Sequence, residues 1–262
     1  MAKIGIIGVG VVGKAMKEGF KDAHQLFLHD PKLSTNLENV TDNTDFSYIA
    51  VPTPSDPNTG ECDTSIIESI LSQMPNNHNI VIKSTIIPGT TNYLQDKYPN
   101  LKIGCSPEFL RSASSEYDFK NQDILVVGTK HKQMAKDILS HHKKSEVLKS
   151  TNFFHVTPTQ AELVKYAKNS FYAMKVIFAN QFHDLSMELG EEWSVVKKII
   201  TSPQEQIIGP SHLDSPKENQ RGYGGDCLPK DTLALRALLQ NIGIKYDFIE
   251  AIIKDNEKLK NR

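Results

Sequence analysis

Six consecutive residues, Gly8-Val9-Gly10-Val11-Val12-Gly13, constrain the fold of this chain more than any other feature. They follow a short apolar run, Lys3 to Ile7, that reads as a buried strand, and they open a segment to about Lys21 that reads as a helix. A GxGxxG is weak by itself, because glycines cluster in many turns, but its place between a strand and a helix gives each glycine a reason. Gly8 permits the tight turn, Gly10 lets the backbone approach a pyrophosphate, and Gly13 allows close packing of helix on sheet. The helix N-terminus then presents N–H groups and a positive dipole to the anion. Residues 26–29 read as the next strand, and Asp30 ends it about 20 residues past the glycines, where a carboxylate accepts from ribose hydroxyls and repels a 2′-phosphate. The spacing therefore predicts a dinucleotide site, for NAD rather than NADP, built from Gly8, Val9, Gly10, Val11, Val12, Gly13 and Asp30. A glycine turn beside a surface aspartate is the plainer alternative.

Further apolar runs at residues 48–51, 80–82, 102–105 and 124–127 alternate with helical or loop segments. That alternation implies an α/β fold, a Rossmann-like, doubly wound parallel sheet. From Thr159 the period becomes helical, with Leu163, Tyr166, Ala167, Phe171, Met174, Ile177 and Phe178 recurring at helical spacing until Gly190. Shorter helices are expected over residues 194–200, 230–240 and 246 to about 259, with an irregular stretch from Ser202 to Tyr223. The chain thus divides near residue 157 into an NAD-binding domain, 1–157, and an all-helical central domain, 158–262.

Its 262 residues suffice for two modest domains around a substantial core. With 39% hydrophobic and 23% charged residues the composition is that of a globular protein, and 30 Lys+Arg against 31 Asp+Glu leave no basic excess for nucleic acid or anionic lipid. Three widely separated cysteines without a CxxC pair argue against a disulfide framework or a zinc knuckle and fit a reducing cytosol. Lys3 ahead of an apolar stretch superficially matches a signal peptide, but the glycines, Lys14 and Lys17 interrupt it and no cleavage site follows. No segment reaches the ~18 apolar residues that span a bilayer. A cytoplasmic protein is expected. The nine histidines show no HxxxH or HxH spacing, so no metal site is expected.

Lys165 and Asn169 are spaced i, i+4 on the long predicted helix and share one face, with Glu162 one turn before. A surface ion pair between Glu162 and Lys165 is the plainer reading of that spacing. In the run from Arg221 to Asp231, Cys227 follows a glycine loop and precedes a helix with Pro229 in its first turn. The helix dipole and Lys230 favour a thiolate there, and Asp231 lies one turn on. A buried, inert cysteine after a turn fits the same residues. Cys62, in a polar loop, and Cys105, at a strand end, read as inert.

Together these segments form an ordered series: GVGVVG at 8–13, VPTP at 51–54, STIIPGT at 84–90, SPEFL at 106–110, ELVKYAKN at 162–169 and GYGGDCLPKD at 222–231. The series resembles the UDP-glucose 6-dehydrogenase/GDP-mannose 6-dehydrogenase family. The resemblance implies NAD-dependent oxidation of a nucleotide-sugar C6 alcohol, UDP-glucose foremost, to the uronic acid, with two NAD reduced, as in polysaccharide biosynthesis. It makes Cys227 the nucleophile, passing through a thiohemiacetal and a thioester. It makes Lys165 and Asn169 donors to the oxyanion, has Asp231 and Thr85 position water, and gives Glu108 the proton transfer in hydrolysis. Thr53 and Thr85 would border the cofactor. Phe109, Leu110, Lys165, Asn169, Arg221, Tyr223 and Gly224 would contact the nucleotide sugar. The long helix from about Thr159 to Leu189, with Phe178, Phe182 and Leu185, is expected to build a homodimer, an intramolecular helix core burying the same residues being the plainer alternative.

The sequence departs from the family pattern in three places. The family carries a second Rossmann-like domain after the central helices, so the resemblance makes this sequence a short form. Ser112 stands where a glutamate is common, and Ile207-Ile208-Gly209 stands where an Arg-Ile-Gly would let a neighbouring subunit lend an arginine. A 3-hydroxyacid dehydrogenase of the 6-phosphogluconate dehydrogenase type shares the glycine loop and the Lys-xxx-Asn helix but needs no cysteine. A degenerate NAD-binding module is the non-enzymatic alternative.

Overall fold

The computed structural model describes residues 1–56, 59–202, 209, 211–214, 221–243 and 247–261. Ile207, Ile208, most of the irregular stretch after Ser202 and the expected helix start at Tyr246 lie outside the described residues. Seven strands are described: β1 Lys3–Ile7, β2 Gln25–His29, β3 Phe46–Ile49, β4 Asn79–Ile82, β5 Lys102–Cys105, β6 Leu125–Thr129 and β7 Phe153–Val156. They lie in one sheet in the order β2-β1-β3-β4-β5-β6-β7. The helices are α1 Val11–Phe20, α2 Glu38–Thr41, α3 Ser65–Leu71, α4 Thr90–Lys97, α5 Ser115–Lys120, α6 Lys132–Lys144, α7 Pro158–Glu188, α8 Trp193–Ile200, α9 Leu228–Asn241 and α10 Phe248–Lys260.

The inner strands β1, β3, β4 and β6 are buried on both faces, as expected for the interior of a doubly wound sheet. Side chains alternate between faces. Ile7, Ile49, Ile80, Ile82 and Ile103 pack on one side with Ile67, Leu71 and Leu94. Ile4, Ile6, Tyr48, Val81 and Val127 pack on the other with Met16, Phe20 and Ile138.

Two details differ from the expected parallel sheet. The β5–β6 pair is antiparallel, joined at Gly104↔Thr129 and Cys105↔Gly128. Glycine permits this close approach, since a Cβ on Gly104 would stand 2.9 Å from the Thr129 Cβ. The seventh strand, β7, is an edge strand that the apolar runs do not predict; it is short, and His155 interrupts its apolar residues.

The chain forms two compact units, residues 1–54 with 62–165, and residues 55–61 with 166–262. The division proposed at residue 157 coincides with the start of α7; the chain passes between units at Lys165 and Tyr166, inside that helix. In the second unit, Ala173 and Ile177 of α7 pack with Tyr223 and with Ile249, Ile252, Ile253 and Leu259 of α10. A smaller cluster joins Ala179, Trp193 and Leu213, with the Trp193 indole N–H donating to the Leu213 carbonyl at 3.2 Å. Among the described residues no helix is long and apolar enough to cross a membrane, and no three His, Cys, Asp or Glu side chains are grouped to hold a metal ion.

Candidate active site

The glycine turn has the local geometry its sequence predicts. Gly8 has φ +88°, and a Cβ there would lie 2.5 Å from the Ala50 carbonyl oxygen. At Gly13 a Cβ would lie 1.9 Å from the Gly8 carbonyl oxygen, so α1 can sit this close only with glycine. Gly10 is different: nothing lies within 4 Å of its Cβ position. The backbone is open there, at the N-cap of α1, where no side chain caps the helix and its first turn carries no acidic residue. These are the conditions for an anion to take the N–H groups.

Asp30 is fastened at the end of β2. Its Oδ2 accepts from the Val9 N–H at 2.7 Å and its Oδ1 from the Lys32 N–H at 2.8 Å. The Val9 hydrogen bond is the main cause that holds its carboxyl below the ordinary aspartate range. It therefore stays ionised, an acceptor for hydroxyls and a repulsive neighbour for phosphate. A cleft of about 1280 Å³ runs past these groups, lined by residues 8–12, Asp30 and the apolar side chains of Leu37, Val51, Ile66 and Ile70. Open backbone, an uncapped helix end, a fixed carboxylate and apolar walls together fit a dinucleotide. Thr53 and Thr85 do not line this cleft; the Thr53 hydroxyl instead donates to the Thr85 carbonyl at 2.7 Å.

In the same unit Lys165, 6% exposed, donates to the Glu108 carbonyl at 2.9 Å and to Glu108 Oε1 at 3.0 Å. Glu108 Oε2 accepts from the Leu110 N–H at 2.6 Å. The surface ion pair of Glu162 with Lys165, the plainer alternative for their spacing, does not form. Glu162 is buried and takes the N–H of Gly89 at 2.6 Å, and the N–H and hydroxyl of Thr91 at 2.8 and 2.6 Å. It caps α4, whose own N-cap, Gly89, has no side chain to do so. Burial raises its pKa, and these hydrogen bonds oppose the shift. Phe109 packs against one sheet face and Leu110 against the other. Ser112 is exposed on the following turn.

The second unit holds the remaining candidates. Cys227 is exposed at the N-cap of α9, with Pro229 in the first turn. Its carbonyl accepts the Asp231 N–H at 2.9 Å, which places Asp231 one turn on. Asp231 is fully buried and accepts from Asn169 Nδ2 and, at 2.6 Å, from Lys230 Nζ. Lys230 is thus engaged by Asp231, and its support for a thiolate is shared. No disulfide joins Cys227, Cys62 or Cys105, and burial pushes the Cys105 thiol up to about 12, as its inert reading requires. Arg221 Nη2 donates to both carboxylate oxygens of Asp184. Tyr223 is buried, its hydroxyl 3.2 Å from that of Thr232, while Gly224 is exposed.

Residues 18–146 match the NAD binding domain, and residues 159–258 the central domain, of the UDP-glucose/GDP-mannose dehydrogenase family. A UDP-glucose 6-dehydrogenase from Rickettsia felis is 32% identical over 235 residues, which are 87% of this chain and 51% of that protein. The chain spans about half the length of the curated relatives it matches. A UDP-glucose dehydrogenase from Pyrobaculum islandicum superposes with TM-score 0.84 at 26% identity, covering 98% of this chain and 68% of the other. A 3-hydroxyisobutyrate dehydrogenase from Mycobacterium tuberculosis shares the fold alone, with TM-score 0.70 at 15% identity over 98% of this chain and 93% of the other. With both matched domains in sequence and NAD as the cofactor of the first, the chain belongs to the UDP-glucose/GDP-mannose dehydrogenase family.

Proposed function

We propose that this chain oxidises the C6 alcohol of a nucleotide sugar, most readily UDP-glucose, to the uronic acid, and that it works in the cytoplasm as a homodimer. The observation that carries the reading is Cys227 at the N-cap of α9, one turn before a buried Asp231 held by Asn169 and Lys230. A simple alcohol dehydrogenase has no use for a thiol in that place. NAD, held along residues 8–12 and Asp30, would supply the hydride acceptor for each of two oxidations. Between them the Cys227 sulfur adds to the aldehyde carbon to give a thiohemiacetal, and its oxidation leaves a thioester that water cleaves, returning the thiol. Lys165 and Asn169 donate to the oxygen that gathers charge as these adducts form and break. Asp231 and Thr85 orient water, and Glu108 carries the proton in hydrolysis. Phe109, Leu110, Arg221, Tyr223 and Gly224 are assigned to the nucleotide sugar, with Arg221 held in place by Asp184. The test is incubation with NAD and a panel of UDP- and GDP-sugars. A UDP-sugar acid should appear first; no oxidation across the panel would overturn the reading.

The cofactor preference follows from Asp30. NAD should bind more tightly than NADP, and Asp30→Ser should narrow the gap by on the order of tenfold, since one lost charge repulsion of about 1 kcal/mol or more is removed. Equal affinity of both cofactors for the unaltered protein in a binding titration would refute the assignment.

The dimer rests on apolar surface of the second unit. Phe171, Phe182 and Leu185 of α7 are 54%, 40% and 50% exposed, and Val195 and Ile199 of α8 are 53% and 61% exposed. Phe178 differs from its companions, packing onto the Trp193 cluster. Sedimentation should report a dimer at micromolar concentration, whereas a concentration-independent monomer would contradict it.

A further inference from the structure

The carboxyl end of β4 carries a buried cation that the mechanism above leaves without a task. Lys83 directly follows Ile82, is 3% exposed, and has its backbone N–H fixed on the Ile49 carbonyl at 2.8 Å. An ammonium has three donors. Among the described residues its one hydrogen bond runs to the Ser106 hydroxyl at 3.4 Å, long for such a bond. Taking an ammonium out of water costs several kcal/mol even after relaxation, and one long contact to a neutral hydroxyl does not offset that. An apolar side chain of similar shape would suit the β4 environment of Ile80, Val81 and Ile82 better. A cation retained against stability, at the carboxyl end of a central strand where ligands of such sheets bind, marks a functional position.

The groups that act on Lys83 electrostatically are the Glu108 carboxylate, the Lys165 ammonium and the Cys105 thiol, with His142 of α6 also within its field. Glu108 is the one carboxylate among them. It is already held by Lys165 at Oε1 and by the Leu110 N–H at Oε2. Lys83 and Lys165 are therefore rival cations over a single counter-charge. Two of the three Lys165 donors point at Glu108, one at its carbonyl and one at its carboxylate.

We propose that Lys83 is a positioning residue for the assigned reaction: its ammonium offsets the pull of Glu108 on Lys165 and so keeps Lys165 available to the substrate oxyanion. The proposal rests on the reading of Lys165 as an oxyanion donor. With Lys83 charged, the three groups carry one net positive charge, which favours an oxyanion; with Lys83 neutral, the carboxylate is balanced by Lys165 alone. Burial pulls the Lys83 ammonium down to about 8, against the opposing field of Glu108, so the change falls within the working range of pH.

The experiment uses the full chain with 13Cε-labelled lysines, the Lys83 resonance being assigned by its loss in Lys83→Met or, if that variant does not fold, in Lys83→Arg. Lys83 should titrate near pH 8, and lower still in Glu108→Gln. With NAD and the sugar nucleotide that the chain oxidises, kcat should fall as pH rises through that value. Lys83→Met should lower kcat on the order of tenfold, the equivalent of one pKa unit of interaction, with KM little changed and no such limb. Lys83→Arg should keep most of kcat and carry the plateau to higher pH, because arginine does not titrate there. A Lys83 resonance that titrates near the ordinary ~10.4 and ignores Glu108→Gln overturns the proposal. So does an unchanged pH profile in both variants. The titration needs no substrate. A chain that oxidises no nucleotide sugar therefore defeats the functional reading, while the resonance still decides whether Lys83 and Glu108 are coupled.

Discussion

Cys227→Ala should abolish net formation of the sugar acid while NAD binds as before. The residues assigned to the cofactor, Gly8, Gly10, Gly13 and Asp30, belong to the other compact unit, and Cys227 is exposed, so its truncation removes little packing. Stability should change by no more than about 0.5 kcal/mol, the usual range for a surface substitution. Cys227→Ser is the more informative variant. A hydroxyl is far less ionised than a thiol and forms an ester that hydrolyses less readily, so an adduct at residue 227 should accumulate with substrate and NAD and be visible by mass spectrometry. Loss of Lys165 or Asn169 should reduce turnover on the order of 10²-fold without trapping an adduct, as expected for an oxyanion donor. Full acid production by Cys227→Ala would remove the covalent mechanism and put the hydroxyacid dehydrogenase reading ahead.

A second large effect should appear on acidification. Within the first unit, His24, His141 and His142 are buried among Phe20, Phe46, Tyr48 and Phe119. His141 meets the Tyr48 hydroxyl at 3.0 Å, and His142 Nδ1 meets the Ile138 carbonyl at 2.8 Å while its Nε2 is buried without a partner. Burial is the main cause that pulls His141 down to about 4 and His142 to about 3, with positive neighbours, Lys144 at His141 and Lys83 at His142, adding to it. The unfolded chain takes up these protons near pH 6.5, the folded chain only far below. The unfolded state therefore binds more protons between those limits, and stability falls as pH drops below 6.5 until it passes the folded values. By pH 4 each of the two should cost on the order of 2–3 kcal/mol, a large part of the ~5–15 kcal/mol a domain possesses. Denaturant unfolding followed by circular dichroism from pH 7 to 4 should show this slope, and His142→Phe, which keeps ring contacts with Phe20 and Phe119, should flatten it. Stability independent of pH over that range would show that these histidines are not buried neutral.

What the sequence made legible was local. The strand, turn and helix around Gly8–Gly13, the carboxylate at Asp30, the length of α7 and the thiol at the start of α9 each follow from spacing within a few residues. What it hid depends on partners far along the chain. Glu162 is three residues from Lys165 yet serves Gly89 and Thr91, and Lys165 goes instead to Glu108. One signal was available: Gly89 opens α4 without a capping side chain, so another element had to supply one. Lys83 is invisible as a buried charge because it sits in a polar-looking Lys-Ser-Thr triplet just past the apolar run of β4. Likewise Arg221 reads as a substrate residue, but its pairing with Asp184, 37 positions away, is set by packing of the second unit.

One substrate should be oxidised twice at this site, with a thiohemiacetal between the two oxidations and a thioester after the second, and counting NADH against sugar consumed tests this without any variant. With NAD in excess and a limiting amount of the nucleotide sugar, the predicted result is two NADH per sugar lost, with uronic acid as the product and no aldehyde released. One NADH per sugar, with a carbonyl compound as the end product, would contradict it.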